Sequence, residues 1–255
     1  MDHAGSAMID KLEVLRLGTR ESMGRAAARA VADLIIETAA EKGEVTMIFA
    51  AAPSQNELLE SLLAIPGIPW DRVVAMHMDE YIGLPAEAPQ RFTHYLDQHL
   101  FKKAPFKEVH RLNSSAAEPM DECRRYARIL ERHPVDIVCM GVGENGHIAF
   151  NDPPVADFRD PELVKIVVLE RACREQQVHD RCFDRLEDVP ERAMTLTVPA
   201  LFSAAHLVCV VPGQLKAEAV RRMLTGPVET ACPASVLRTH RHARLYLDSD
   251  SASKL

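Results

Sequence analysis

Short runs of aliphatic and β-branched residues recur along this 255-residue chain, separated by stretches whose apolar residues keep helical spacing. The strand-like runs are Val45 to Phe49, Val73 to Met76, Val135 to Met140, Val164 to Leu169, His206 to Val211 and Arg244 to Leu247. Ala27, Val31, Leu34 and Ile35 repeat at i, i+4, i+7 and i+8, which predicts a helix over about 20–42 that stops at Gly43. Ser54-Gln55-Asn56-Glu57 has the form of a capping box opening a helix with Leu58, Leu59, Leu62 and Leu63 on one face. Further helices are expected over about 89–101 and about 119–132. Near-continuous hydrophobic strands alternating with helices imply an α/β fold, a mainly parallel, doubly wound sheet with helices on both faces. With no linker, repeat or low-complexity tract in between, residues 1–255 are expected to form a single domain.

Thirty Lys+Arg against 37 Asp+Glu leave a formal net charge of −7, the wrong sign for a protein that neutralises a nucleic-acid backbone. No nucleic-acid partner is expected, and an anionic small molecule must be held by a few local cations. A chain 47% hydrophobic and 26% charged is neither disordered nor short of material for a full core. The six cysteines form no C-x-x-C pair, several lie inside apolar runs, and they read as reduced core residues of an intracellular protein. The first twenty residues mix Asp2, Asp10, Lys11, Glu13 and Arg16 with no apolar core of a signal peptide. No apolar stretch approaches the ~20 residues of a membrane span. A cytoplasmic protein without a membrane partner is expected, although the final Ser253-Lys254-Leu255 matches a peroxisomal address by pattern. Nothing in the sequence speaks against a homo-oligomer.

In parallel sheets ligands collect beyond the carboxyl ends of strands, so polar clusters that directly follow a strand are the candidates for chemistry. Three do. His77-Met78-Asp79-Glu80-Tyr81 follows the second run, Gly141 to Pro153 follows Met140, and Ala50-Ala51-Ala52-Pro53 follows Phe49. Gly141, Gly143 and Gly146 are compatible with a tight strand-to-loop turn and nothing more. Packing alone does not call for Glu144, Asn145, His147 and Asp152 crowded beside them, whereas a carboxylate–imidazole cluster is what proton transfer near neutral pH requires. Asp79-Glu80 fits either a solvated turn or a site carboxylate. His77-x-Asp79-Glu80 has metal-binding residue types but lacks a second ligand pair at a defined spacing, and no metal is expected. Lys216 falls in the first turn of a helix that follows Pro212-Gly213, an unfavourable place for a cation unless an anion is bound there or the side chain reaches out to solvent.

Met78-Asp79-Glu80-Tyr81-Ile82-Gly83-Leu84-Pro85 and Gly141-Val142-Gly143-x-x-Gly146-His147-Ile148-Ala149-Phe150-Asn151-x-Pro153 resemble the two signature segments of the glucosamine-6-phosphate deaminases. Val189-Pro190 to Val198 and Gly213-x-x-Lys216 fit the same family, so the resemblance covers most of the chain. It implies a Rossmann-like domain that converts an aminosugar phosphate to a ketose phosphate and ammonia, with a small sugar phosphate as its partner and no cofactor. By position it makes Asp79 the general base between C2 and C1, His147 the residue that assists ring opening, and Lys216 a phosphate ligand. The family's phosphate arginine falls nearest Arg181, with Arg174 a rival. Ala51, Ser54, Gln55 and Gly143 fall in the substrate-binding loops.

The chain departs from the family pattern in three places. Asn145 stands where the family has an aspartate two residues before the histidine, with Glu144 one position away. Asp152 replaces a glutamate, and Ala50 to Gln55 replaces a Gly-rich phosphate loop. Glu144 or Asp152 is expected to supply the negative charge that Asn145 lacks. The C-terminal aromatic segment of some regulated members has no counterpart, so no activation by an N-acetylated sugar phosphate is inferred. One alternative is a 6-phosphogluconolactonase-like hydrolase, whose loop has a different form after the Gly-His pair. The other is a non-catalytic sugar-phosphate sensor, for which ~20 residues before the first helix leave no room for a DNA-binding helix pair.

Overall fold

The computed structural model describes residues 3–255. A hairpin of β1 (His3–Ile9) and β2 (Leu12–Leu17) leads into α1 (Arg20–Lys42) and β3 (Val45–Phe49). Then come α2 (Asn56–Ala64), β4 (Val73–His77), β5 (Asp79–Ile82), α3 (Phe92–Leu96) and β6 (Glu108–Val109). They are followed by α4 (Pro119–Arg132), β7 (Ile137–Met140), β8 (Val164–Val168), α5 (Arg171–His179) and β9 (Arg192–Leu196). The chain closes with α6 (Val198–Phe202), β10 (His206–Val211), α7 (Ala217–Thr225) and β11 (Ala243–Leu247).

Eight strands form the main sheet in the order β1-β2-β11-β10-β7-β3-β4-β6. Only the β1–β2 pair is antiparallel. Alternate residues of the central strands point to opposite faces and fill two cores, as period-2 geometry requires. Met47, Phe49, Ala75, Cys139 and Val210 pack under α1, α2 and α3. Ile48, Val74, Met76, Met140, Cys209 and Val211 pack under α4, α6 and α7. The doubly wound, mainly parallel α/β sheet is therefore as expected. Each fully buried aliphatic side chain contributes about 1.5–3 kcal/mol.

Several local expectations are corrected. The Ser54–Glu57 capping box does not form: a 3₁₀ turn over Pro53–Gln55 precedes α2, and Glu57 pairs with Arg20 at 2.5 Å instead. The helix expected over 89–101 is α3 followed by a single π turn, Asp97–Phe101. The Val164 run does not enter the main sheet. It pairs with β9, which pairs with β5, in a separate three-stranded antiparallel sheet. The helix after Gly213 begins as a 3₁₀ turn over Gln214–Lys216 and becomes α-helical at Ala217. By contrast α1 runs over the predicted residues and ends at Gly43, whose φ of 79° is the left-handed conformation a helix C-cap needs.

After β3 the chain builds outward through β4 and β6, then returns to place β7 on the other side of β3, followed by β10 and β11. The order thus reverses between β3 and β7, and a crevice opens there at the carboxyl ends of both strands.

Candidate active site

Ala50, Ala51, Ala52, Ser54 and Gln55 after β3, Met78-Asp79 after β4, Gly141, Val142, Gly143, His147, Ala149 and Phe150 after β7 and Lys216 after β10 line one pocket at that crevice, together with Phe92, Gln176 and Gln177; Glu144 and Asn145 lie behind its wall. The main chain of the first loop is fastened from two sides. Tyr95 donates its hydroxyl to the Ala52 carbonyl at 2.8 Å, and Arg20 hydrogen-bonds the Pro53 carbonyl. Within it Gln55 Nε2 donates to Ser54 Oγ at 3.2 Å, and Gln55 Oε1 is buried with no partner.

Asp79 opens β5 opposite Thr195 and is buried. Burial, and secondarily the neighbouring Glu80, push its carboxyl well above the usual carboxylate range. Glu80 has a different task. It is fully buried, and its oxygens accept the N–H groups of Tyr81 (2.9 Å), Phe92 (3.1 Å) and Thr93 (2.8 Å), tying β5 to the start of α3. His77 is likewise structural. Its Nδ1 donates to the Asp79 carbonyl and its Nε2 accepts from Leu112 N–H, both at 2.9 Å, and burial pushes its pKa down to about 4. Two trios among the described residues could hold an ion, His147, Asp152 and Cys173 in the site and Glu108, His110 and His133 elsewhere, each with donor atoms within 4.8 Å.

The loop after β7 turns at Gly146, where φ is 91°, and Ala149 takes an uncommon φ of 48° at the pocket wall. Asn151 fastens the loop, its Nδ2 donating to the carbonyls of Ile148 (3.0 Å) and Leu196 (2.9 Å). The His147 ring is held by two acceptors at Nδ1, Asn145 Oδ1 at 2.8 Å and Asp152 Oδ1 at 3.0 Å. Asn145 Oδ1 also accepts the His147 backbone N–H at 3.0 Å. Burial raises the Asp152 carboxyl, but the hydrogen bond and charge of His147, with help from Asn145 and Cys173, outweigh it and hold Asp152 below its ordinary value. Of the two expected sources of charge for His147, Asp152 is in contact and Glu144 is not. Glu144 instead faces His179 Nδ1 at 3.2 Å, and its N–H donates to Gln176 Oε1 at 2.8 Å.

Lys216 is buried, its Nζ has no hydrogen-bond partner among the described residues, and burial lowers its pKa. Its turn is braced from the residue just after β11, where the Asp248 carboxylate accepts the Gly213 N–H at 3.0 Å. The two candidate arginines lie elsewhere. Arg174 donates from one nitrogen to the carbonyls of Leu186 and Val189, each at 2.9 Å. Arg181 is exposed and lines an adjoining depression with Ala51, Ala52, Phe92 and Tyr95.

Three residues that the sequence reading missed are Gln176, Gln177 and Glu170. The glutamines lie on α5 and line the pocket. Glu170 accepts from Asn145 Nδ2 at 2.9 Å, just behind the His147 ring. A signal for Glu170 exists: it is a carboxylate directly after the Val164–Leu169 run, the same strand-end criterion that selects Asp79.

A model of the family described as glucosamine-6-phosphate isomerases/6-phosphogluconolactonase matches residues 18–247. A glucosamine-6-phosphate deaminase of Listeria monocytogenes serotype 4a (strain HCC23) is 37% identical over 221 residues, 87% of this chain and 92% of its own. Another, of Enterococcus faecalis (strain ATCC 700802 / V583), is 30% identical over 244 residues, 96% of this chain and 100% of its own. Among solved structures, a monomeric glucosamine-6-phosphate deaminase superposes with a TM-score of 0.87 at 27% identity, covering 95% of this chain and 99% of its own. A 6-phosphogluconolactonase from Shewanella baltica OS155 reaches 0.76 at 16% identity over 95% and 99%, a likeness of fold alone.

Proposed function

The chain belongs to the family of glucosamine-6-phosphate isomerases and 6-phosphogluconolactonases, and on that premise we propose that it is a deaminase converting glucosamine 6-phosphate and water to fructose 6-phosphate and ammonia. The observation that carries the reading is the grouping of a buried carboxyl (Asp79), an oriented imidazole (His147) and an unpartnered buried ammonium (Lys216) around one pocket. Relatives at 30–37% identity named as deaminases support it over the lactonase alternative, as does the His147-Ile148-Ala149-Phe150-Asn151 segment. We further read the protein as cytoplasmic; among the described residues no helix is long and apolar enough to cross a membrane.

Lys216 holds the substrate phosphate, which supplies the counter-charge its buried ammonium lacks. Ser54, Gln55 and Gly143 border the same space. With both groups at His147 Nδ1 being acceptors, Nδ1 carries the proton and Nε2 offers a lone pair. Nε2 takes the proton of the C1 hydroxyl and returns it to the ring oxygen as the C1–O5 bond breaks and the aldehyde forms. Asp79 then removes the C2 proton. A proton of the substrate's ammonium moves to the C1 oxygen, and Asp79 delivers its proton to C1, leaving a protonated imine at C2. That delivery restores the Asp79 carboxylate; water then adds to C2, both of its protons pass to the nitrogen, and the C2–N bond breaks to leave the ketone and ammonia as its ammonium ion. Asp79 must be ionised to act as the base, although the pocket favours its neutral form. The cationic amine of the substrate reverses that preference.

Purified protein offered glucosamine 6-phosphate, galactosamine 6-phosphate and 6-phosphogluconolactone in parallel tests the reading. Ammonia from an aminosugar phosphate is expected. Hydrolysis of the lactone without ammonia release would replace the deaminase by the lactonase.

A further inference from the structure

Asn145 uses every hydrogen-bonding capacity of its amide. Oδ1 accepts from the His147 ring at 2.8 Å and from the His147 backbone N–H at 3.0 Å. Nδ2 donates to Asp152 Oδ1 and to Glu170 Oε2, each at 2.9 Å. An amide has two donors and one acceptor oxygen, and turning this one over would set its oxygen against two carboxylates and its N–H groups against a backbone N–H. The arrangement has one sense only, and in that sense the ring faces an oxygen. Asp152 serves the ring and the amide with the same oxygen. Glu170 is the anchor that belongs to the amide.

The position of Glu170 fits this task and no other visible one. It occupies the residue just before α5, a place where a side-chain oxygen commonly caps the helix, yet it makes no capping hydrogen bond. Its carboxylate leaves the helix and reaches across to the loop after β7.

We propose that Glu170 is a positioning residue for His147: by holding the Asn145 amide in one orientation, it keeps the imidazole protonated at Nδ1 and its Nε2 free for proton transfer. Asn145 thereby orients the ring as an aspartate would, with two carboxylates behind it. The inference rests on the deaminase reading for the reaction that the ring serves. It needs an acceptor at position 170 and not specifically a charge, so Glu170→Gln and Glu170→Met differ in prediction although their shapes are similar.

Two-bond ¹H–¹⁵N spectra of protein labelled at histidine report the ring tautomer, with His147→Asn identifying the signal. The parent and Glu170→Gln should show the Nδ1–H form, and Glu170→Met a mixture with Nε2–H. Turnover of glucosamine 6-phosphate in Glu170→Met should fall by at least about tenfold with little change in KM, and Glu170→Gln should recover most of it. An unchanged ring in Glu170→Met, or a changed ring with parent turnover, overturns the proposal. Should Glu170→Met fail to fold, loss of the Nδ1–H form in folded Glu170→Gln overturns it, and its retention there beside a mixed ring in Glu170→Ser supports it. A ring that responds as expected in a protein releasing no ammonia from any aminosugar phosphate would refute the deaminase reading and leave the positioning claim intact.

Discussion

Gly143 and the His147 imidazole lie so close that a Cβ on Gly143 would sit 2.2 Å from Cε1, 2.3 Å from Nδ1 and 2.4 Å from Nε2. The glycine is required there for room beside the ring. Gly143→Ala must therefore move the imidazole away from Asn145 and Asp152 or move the loop. It should lower deaminase turnover by about 10²-fold, as misplacement by about 1 Å does. Thermal unfolding beside the rate checks this, since a variant with the parent melting temperature and parent turnover would show that the ring position is unimportant.

Lys216→Met should stabilise the unliganded protein and weaken its ligands. The buried ammonium has no partner until an anion arrives, so its removal relieves a desolvation cost. Binding of glucosamine 6-phosphate should weaken by about 1.5–3 kcal/mol, or about 10- to 150-fold. Glucosamine itself should bind variant and parent alike. Calorimetric titration with both sugars decides it; equal losses for the two would make Lys216 a structural residue.

Arg174→Ala should lower stability without a phosphate-specific loss. The guanidinium holds the Leu186 and Val189 carbonyls in the connection from α5 to β9, and charge-assisted bonds of this kind contribute about 1.5–3 kcal/mol. The melting temperature should fall while the affinity ratio of phosphorylated to free sugar stays at the parent value. Arg181→Ala, on the exposed rim beside Ala51 and Ala52, is the informative companion.

The raised pKa of Asp79 makes stability depend on pH. Its folded pKa lies above the unfolded one, so between those two values the native state binds more protons than the unfolded state. Its contribution is favourable below the unfolded pKa and is lost as pH rises through the folded value. Asp79→Asn, which cannot ionise, should raise the melting temperature more at about pH 8 than at about pH 4. A constant difference across that range would mean that the carboxyl is solvated in the folded protein.

The central parallel strands were legible because a strand buried on both faces must be apolar at nearly every position, as Val45 to Phe49 and His206 to Val211 are. The Val164 run carries the same mark although β8 pairs antiparallel in the smaller sheet; β1 and β5 do not. β1 contains Gly5, Ser6 and two alanines, and β5 begins with two carboxylates, so neither shows a hydrophobic run. The Ser54–Glu57 pattern misled because Arg20, 37 residues away, claims Glu57. Asp79, His147 and Lys216 were legible from strand ends, and the structure brings all three to one pocket. The surroundings of Asn145 were not, because its partner Glu170 lies 25 residues on and reaches it from another sheet.

If Asp79 moves a proton from C2 in a reaction that releases ammonia, deuterium placed at C2 of glucosamine 6-phosphate follows that proton. The parent should produce fructose 6-phosphate and ammonia in equal amounts, with the C2 deuterium passing to C1 or to water. Asp79→Asn should produce neither, while the sugar phosphate still raises its melting temperature. An Asp79→Asn enzyme that retains most of the parent rate of deuterium loss, or a parent that releases no ammonia, would contradict the account.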